Sequence, residues 1–102
     1  MTIEKRKHKR IPVKLEVYWE REGGTQLVQI TDLSLSGCFI RTNKEPTLQT
    51  LINLEIRLPS GKWLTQTGKV VRCIPGKGFG VEFTSELEGD LMRMLNPMQD
   101  LF

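Results

Sequence analysis

The stretch "LINLEIRL" at residues 51–58 alternates cleanly, with Ile52, Leu54, Ile56 and Leu58 on one parity and polar side chains between them. A period of two puts successive side chains on opposite faces of an extended chain, so this pattern predicts a β-strand with one face in a core. The same pattern opens the chain. Val13, Leu15, Val17 and Trp19 share one parity, and Lys14, Glu16, Tyr18 and Glu20 share the other. Pro12 pushes Ile11 toward an extended conformation, so no helix is expected to run through that junction.

Four further segments read as strands. After the turn "REGGT" (21–25) comes "QLVQITDL" (26–33), which closes a first hairpin. "SLSG" interrupts, and "CFIRT" (38–42) resumes. A polar loop with Pro46 leads to the 51–58 strand and the turn "PSGK". "WLTQTGKVVRCI" (63–74) is a long strand in which Gly68 is expected to mark a bend or bulge. "PGKG" turns the chain into "FGVEFT" (79–84), with Phe79, Val81 and Phe83 on one face. The period then changes. Leu87, Leu91 and Leu95 recur at helical spacing, Ser85 and Glu88 match a capping box, Glu86 and Glu88 read as an acidic first turn, and Asn96-Pro97 is expected to end the helix. Gly89 inside that helix would cost about 1 kcal/mol relative to Ala. Six short antiparallel strands predict an all-β fold, a small closed or nearly closed barrel, with the leucine stripe of a short C-terminal α-helix across one end.

A chain of 102 residues suffices for one domain with one core. No apolar run approaches the roughly 20 residues of a membrane span, and no apolar segment follows the basic N-terminus as in a secretory signal, so a cytoplasmic location without membrane insertion is expected. His8 is the only histidine, and Cys38 and Cys73 are the only cysteines and not a C-x-x-C pair. That leaves no zinc-type ligand set, and both thiols read as buried and free. Without a G-x-S-x-G motif or a Cys–His pair, the sequence does not read as an enzyme or as a cofactor protein.

Charge is distributed unevenly. Residues 1–10 hold five Lys/Arg and one Glu, whereas residues 11–102 hold ten Lys/Arg and eleven Asp/Glu. The near-neutral body argues against a surface built for long DNA or RNA and fits a single anion site better. The chain divides into a flexible basic N-terminal arm, 1–10, and a folded unit, 11–102. Within the arm, "EKRKHKR" (4–10) can be read as a solvated basic tail. Arg6 and Arg10, however, are four apart and project to the same side of a strand or a helix. In an extended arm their Cα atoms lie roughly 13 Å apart, a span suited to a small dinucleotide. Arginine also has a planar fork that grips phosphate and stacks on a base, which lysine lacks. The second stretch is "DLSLSG" (32–37). It can be a simple turn. Equally, the Asp32 carboxylate can accept from the N–H groups of a guanine edge, the Ser34 hydroxyl can donate or accept beside it, and Gly37 allows a ligand or another strand to approach its backbone.

R-x-x-x-R before the first strand, followed by D-x-S-x-x-G at the end of the second, resembles the PilZ domain family. "GKVVR" (68–72) and "GFGVEF" (78–83) are similar to that family's fifth and sixth strands, and the resemblance covers essentially the whole chain. It implies a six-stranded PilZ-type barrel with a C-terminal helix and a bacterial receptor for the second messenger cyclic di-GMP. The family's ligand-binding positions fall on Arg6, Arg10, Asp32, Ser34 and Gly37, and all five match. The arginines would engage phosphate and guanine, Asp32 and Ser34 would contact guanine, and the arm would fold over one ligand molecule or a stacked pair. Lys5 adds a cation available to a second ligand's phosphates. With no second domain in these residues, the output would pass to an effector protein. Two rival readings are a PilZ-like interaction module that binds no nucleotide and a nucleic-acid-binding barrel.

Overall fold

The structure, a computed structural model, describes residues 10–21, 24–44, 46–87 and 89–100, with only the backbone of residue 21 and of residues 96–100. Six strands and one helix follow each other: β1 (Ile11–Arg21), β2 (Gly24–Leu33), β3 (Gly37–Arg41), β4 (Leu51–Arg57), β5 (Trp63–Ile74), β6 (Gly78–Phe83) and α1 (Gly89–Asp100). Every pairing is antiparallel, and the order β1-β2-β3-β6-β5-β4 closes into a barrel. Closure depends on a short ladder between β1 and β4: Val17 opposite Ile56, Tyr18 opposite Glu55 and Trp19 opposite Leu54.

The alternation in sequence becomes the inside and outside of the wall. Ile52, Leu54, Ile56 and Leu58 are buried, as are Leu15, Val17 and Trp19. Trp19 on β1 and Phe79 on β6 meet across the interior, ring centroids 4.8 Å apart and tilted by 55°. The lumen is therefore filled by side chains, as in other small barrels. Val13 is only half-buried but still packs against the core, at the place where the β1–β2 register slips between Pro12 and Leu15; Ile11, of the same parity, is buried.

Three details depart from expectation. Gly68 is not a bulge: it pairs in register with both Ile52 and Phe83. Its lack of a side chain serves packing, since a Cβ there would collide with the Val81 side chain. The irregularity in β5 falls between Val70 and Arg72. The helix starts at Gly89, so Ser85 and Glu86 precede it and Asp90 is the acid of its first turn. Ser85 is not a cap. Instead the Nε2 of buried Gln66 donates to Ser85 Oγ (2.9 Å) and approaches the carbonyls of Ser85 and Glu86 at 3.3 Å. Those bonds hold the segment out of helical geometry. Gly89 is thereby the first helical residue, where the interior penalty does not apply. Glu88, the other half of the expected capping box, lies outside the described residues. The helix also continues through Asn96-Pro97 to Asp100, although a proline there removes one backbone bond and crowds the preceding turn. Leu91 and Leu95 are fully buried in the core, and α1 packs against β1.

Candidate ligand-binding site

The D-x-S-x-x-G segment does two separate jobs. Ser34 and Gly37 build a tight loop between β2 and β3. The Ser34 N–H donates to the Gly37 carbonyl (2.8 Å), and Ser34 Oγ accepts from the N–H groups of Ser36 (3.1 Å) and Gly37 (3.2 Å). Ser36 Oγ is a further partner of Ser34 Oγ at 3.2 Å. Ser34 is only 2% exposed, so its hydroxyl is engaged inside the loop. β2 ends at Leu33, so Ser34 sits in the turn and not on a strand face shared with Asp32. Gly37 admits a strand: a Cβ there would collide with the Val81 carbonyl oxygen of β6.

Asp32 is the residue left facing outward, and a bulge puts it there. Ile30 points into the core, and strict alternation would send Asp32 inward too. The β2–β3 register slips between Ile30 and Asp32, which makes Thr31 an extra residue and returns Leu33 to the core. Asp32 then lies opposite Pro12 on β1 and Phe39 on β3. Bulges re-aim side chains in this way without ending a strand.

Arg10, immediately before β1, reaches that carboxylate, with its Nη1 2.6 Å from Asp32 Oδ1. The two side chains are 26% and 33% exposed, too open for the pair to contribute more than about 0.2–1 kcal/mol to stability. Arg10 Nε is buried and has no acceptor among the described residues. Beside the pair opens a cleft of about 670 Å³, bounded by Arg10, the Ser34–Gly37 loop, Val71, Glu82 and the Ser85–Leu87 approach to α1. That volume falls within the roughly 300–1,000 Å³ typical of small-molecule sites. Arg6 and Lys5 lie outside the described residues.

Behind Asp32 sits Cys38, fully buried. Burial pushes its thiol far up, with the Asp32 carboxylate adding to the shift and Arg10 opposing it, so it is a neutral core group. Both thiols are free as expected, but Cys73 is only half-buried and donates from Sγ to the Pro46 carbonyl (3.3 Å), which corrects the expectation that both are buried. Among the described residues no group of His, Cys, Asp and Glu could hold a metal ion, and no helix is long and apolar enough to cross a membrane.

One outward-facing feature has no counterpart in the sequence reading. The Arg72 guanidinium lies over the Phe39 ring, 5.9 Å from its centroid. Arg72 shares the parity of inward-facing Val70, and a charge at such a position is itself a signal that a bulge intervenes.

The comparisons with known proteins agree on the architecture. The structure is similar to the Bacillus subtilis inhibitor of motility MotI/DgrA, with a TM-score of 0.71 and 20% identity over 92% of this chain and 53% of that one. It is similar to the Borreliella burgdorferi PlzA protein, solved in complex with cyclic di-GMP, with a TM-score of 0.70 and 16% identity over 89% of this chain and 39% of that one. The chain thus spans about half of the first protein and two fifths of the second. It also matches the PilZ domain of CeSA from a cellulose-synthesizing bacterium, at a TM-score of 0.60 and 21% identity over 88% of this chain and 97% of that one. No curated protein matches it by sequence. The PilZ domain family model matches residues 4–97, a span that takes in R-x-x-x-R, D-x-S-x-x-G, all six strands and most of the helix, and the chain therefore belongs to the PilZ domain family.

Proposed function

We propose that this chain is a receptor for cyclic di-GMP that signals to an effector protein by ordering its N-terminal arm. The observation that carries the reading is the meeting of the two motifs. Arg10, which lines the cleft, touches Asp32, and its buried Nε donor has no acceptor among the described residues. Asp32 can accept from the N1–H and exocyclic N–H₂ of a guanine, and Arg10 can grip phosphate while its plane stacks on a base. Ser34 and Gly37 serve by shaping the loop that walls the cleft. Arg6 would supply the second guanidinium, and Lys5 a further cation for a second ligand molecule.

Two arginine–phosphate contacts contribute about 3–6 kcal/mol, whereas ordering five or six arm residues costs about 5–12 kcal/mol. Base contacts must therefore carry a share of the affinity, and a dissociation constant near micromolar, about −8 kcal/mol, is reasonable for the sum. Calorimetric titration with cyclic di-GMP tests the reading and counts ligand molecules per chain. Saturable heat with slowed amide exchange at residues 4–9 is the expected result. No heat up to high micromolar ligand would leave an interaction module without nucleotide binding. A tight, steeply salt-dependent gel shift on DNA or RNA that cyclic di-GMP does not compete would point instead to a nucleic-acid binder.

A further inference from the structure

We infer that the outer wall next to Asp32 is a base-stacking shelf, made by Phe39 and Arg72 across Gly80, on which a guanine of the ligand lies. The inference rests on the cyclic di-GMP reading above and assigns to that site two residues outside both motifs.

The strand registers define the shelf. Asp32 on β2 is opposite Phe39 on β3, Phe39 is opposite Gly80 on β6, and Gly80 is opposite Arg72 on β5. All four stand on the outside. Phe39 lies between buried Cys38 and Ile40, and Gly80 between buried Phe79 and Val81. Asp32 and Arg72 reach the outside only because β2 and β5 each carry a register slip just before them. Two independent bulges thus bring a carboxylate and a guanidinium into one row, at the same level of the wall.

Gly80 makes the row a shelf. It faces outward yet is buried, because Arg72 folds across it to lie over the Phe39 ring. A Cβ at Gly80 would stand 3.8 Å from Arg72 Cβ and 3.9 Å from its Nε, in van der Waals contact, so a methyl group fits beneath Arg72 but narrows the gap that Arg72 spans, and a longer side chain would fill it. Adjacent strands are separated by about 5 Å, so a guanine whose edge meets Asp32 would extend its ring over Phe39. The local charge suits a nucleotide. Arg41 and Lys77 line the hollow beside Phe39, and among the described residues neither they nor Arg72 has an acidic partner within ion-pairing distance. A guanidinium plane and an aromatic ring are the two protein surfaces on which bases stack best.

The competing account makes the Arg72–Phe39 pair a purely cross-strand device that supports the wall beside a glycine. Titrations of cyclic di-GMP into the wild type, Arg72→Ala, Arg72→Lys, Phe39→Leu and Lys77→Ala separate the two accounts, with urea midpoints measured on each. The shelf predicts that Arg72→Ala, Arg72→Lys and Phe39→Leu each weaken binding by about tenfold, the size of one lost stacking partner, with midpoints close to wild type. Lys77→Ala should have a smaller effect. Gly80→Ala, which the spacing to Arg72 tolerates, should weaken binding without loss of fold. Wild-type affinity in Arg72→Ala and Phe39→Leu would overturn the shelf and leave the receptor reading intact. So would an equal loss in Lys77→Ala, which would make net charge the cause. Absence of binding by the wild type would overturn both.

Discussion

Arg10 and Asp32 are 22 residues apart in the chain and 2.6 Å apart in space. At this scale the proposed receptor requires geometry to matter more than charge. Arg10→Lys and Arg6→Lys keep the charge but lose the fork and the stacking plane, and each should weaken cyclic di-GMP binding by at least about 1.4 kcal/mol, or tenfold. Lys7→Ala combined with Lys9→Ala removes two charges and should weaken it less at moderate salt, where exposed charges are screened. Titrations in one buffer check the order, and a weaker double lysine variant would reduce the arm to a basic tail. Cys38 supplies a pH test. Burial raises its folded-state pKa above the ordinary value of 9.0, so the thiolate is disfavoured in the fold. Well below that value both states hold the proton and pH has no effect. Above it the unfolded chain releases the proton and the folded chain keeps it, so stability falls as pH rises, by up to about 1.4 kcal/mol per unit. Urea titrations at pH 8 and pH 10 should show a steeper loss for the wild type than for Cys38→Ala. Groups that titrate in both proteins cancel in that comparison.

Among the elements, the approach to α1 is held from outside the helix. Gln66 on β5 binds the segment around Ser85 and Glu86, and Lys62 Nζ reaches Asp90 Oδ2 (2.5 Å) in the first helical turn. Asp90 also pairs with Arg93 one turn along. Ser85→Ala should therefore cost about 1 kcal/mol by removing an acceptor from Gln66, not by uncapping a helix. Most of that loss should vanish in a Gln66→Met background, and helical circular dichroism should stay unchanged. A loss that persists in Gln66→Met would return Ser85 to the role of a cap. The same lesson applies to β2 and β5. Each carries one extra residue, Thr31 or Val71, and each extra residue turns a charged side chain from the core to the surface.

The whole barrel closes through its shortest ladder, β1 with β4, and the exposed aromatic residues gather outside that seam. Tyr18 on β1 stacks on Trp63 of β5, with centroids 5.1 Å apart at 23°, reaching over the intervening β4. Arg57 of β4 lies over Trp63, 5.9 Å from its centroid, and pairs with Glu16 of β1 at 3.2 Å. The stack is a clamp on the closure, which accounts for two large half-exposed rings on the outer wall. Trp63→Ala should lower stability by about 1–2 kcal/mol, combining the lost stack with lost apolar cover. Arg57→Ala, which removes an exposed ion pair, should cost no more than about 1 kcal/mol. Chemical denaturation of the two variants checks the order. An equal or larger loss for Arg57→Ala would place the closure energy in the ion pair.

The strands were legible because their signal is local. An alternation such as Ile52, Leu54, Ile56 and Leu58 needs only its own residues to define a face, and turns such as "PSGK" need only residues that tolerate the turn. Leu91 and Leu95 announced the buried face of a helix in the same way. The two motifs were legible as a resemblance, and Asp32 and Gly37 as residues with something to do. Which of Gly37's possible neighbours comes close, and that Ser34 spends its hydroxyl on the loop, depend on β6 and on the path of the turn. Tertiary structure alone decided the bulges, the start of the helix and the row from Asp32 to Arg72. The register of a strand is set by its partners, and those partners lie far away in the chain. A faint trace was present all the same. Asp32 carries the parity of Ile30, and Arg72 the parity of Val70. A charge cannot follow an aliphatic side chain into a packed core without a partner, so the chain must slip by one residue at each place. In this barrel those two slips set both charges on one outer face, which no local pattern could announce.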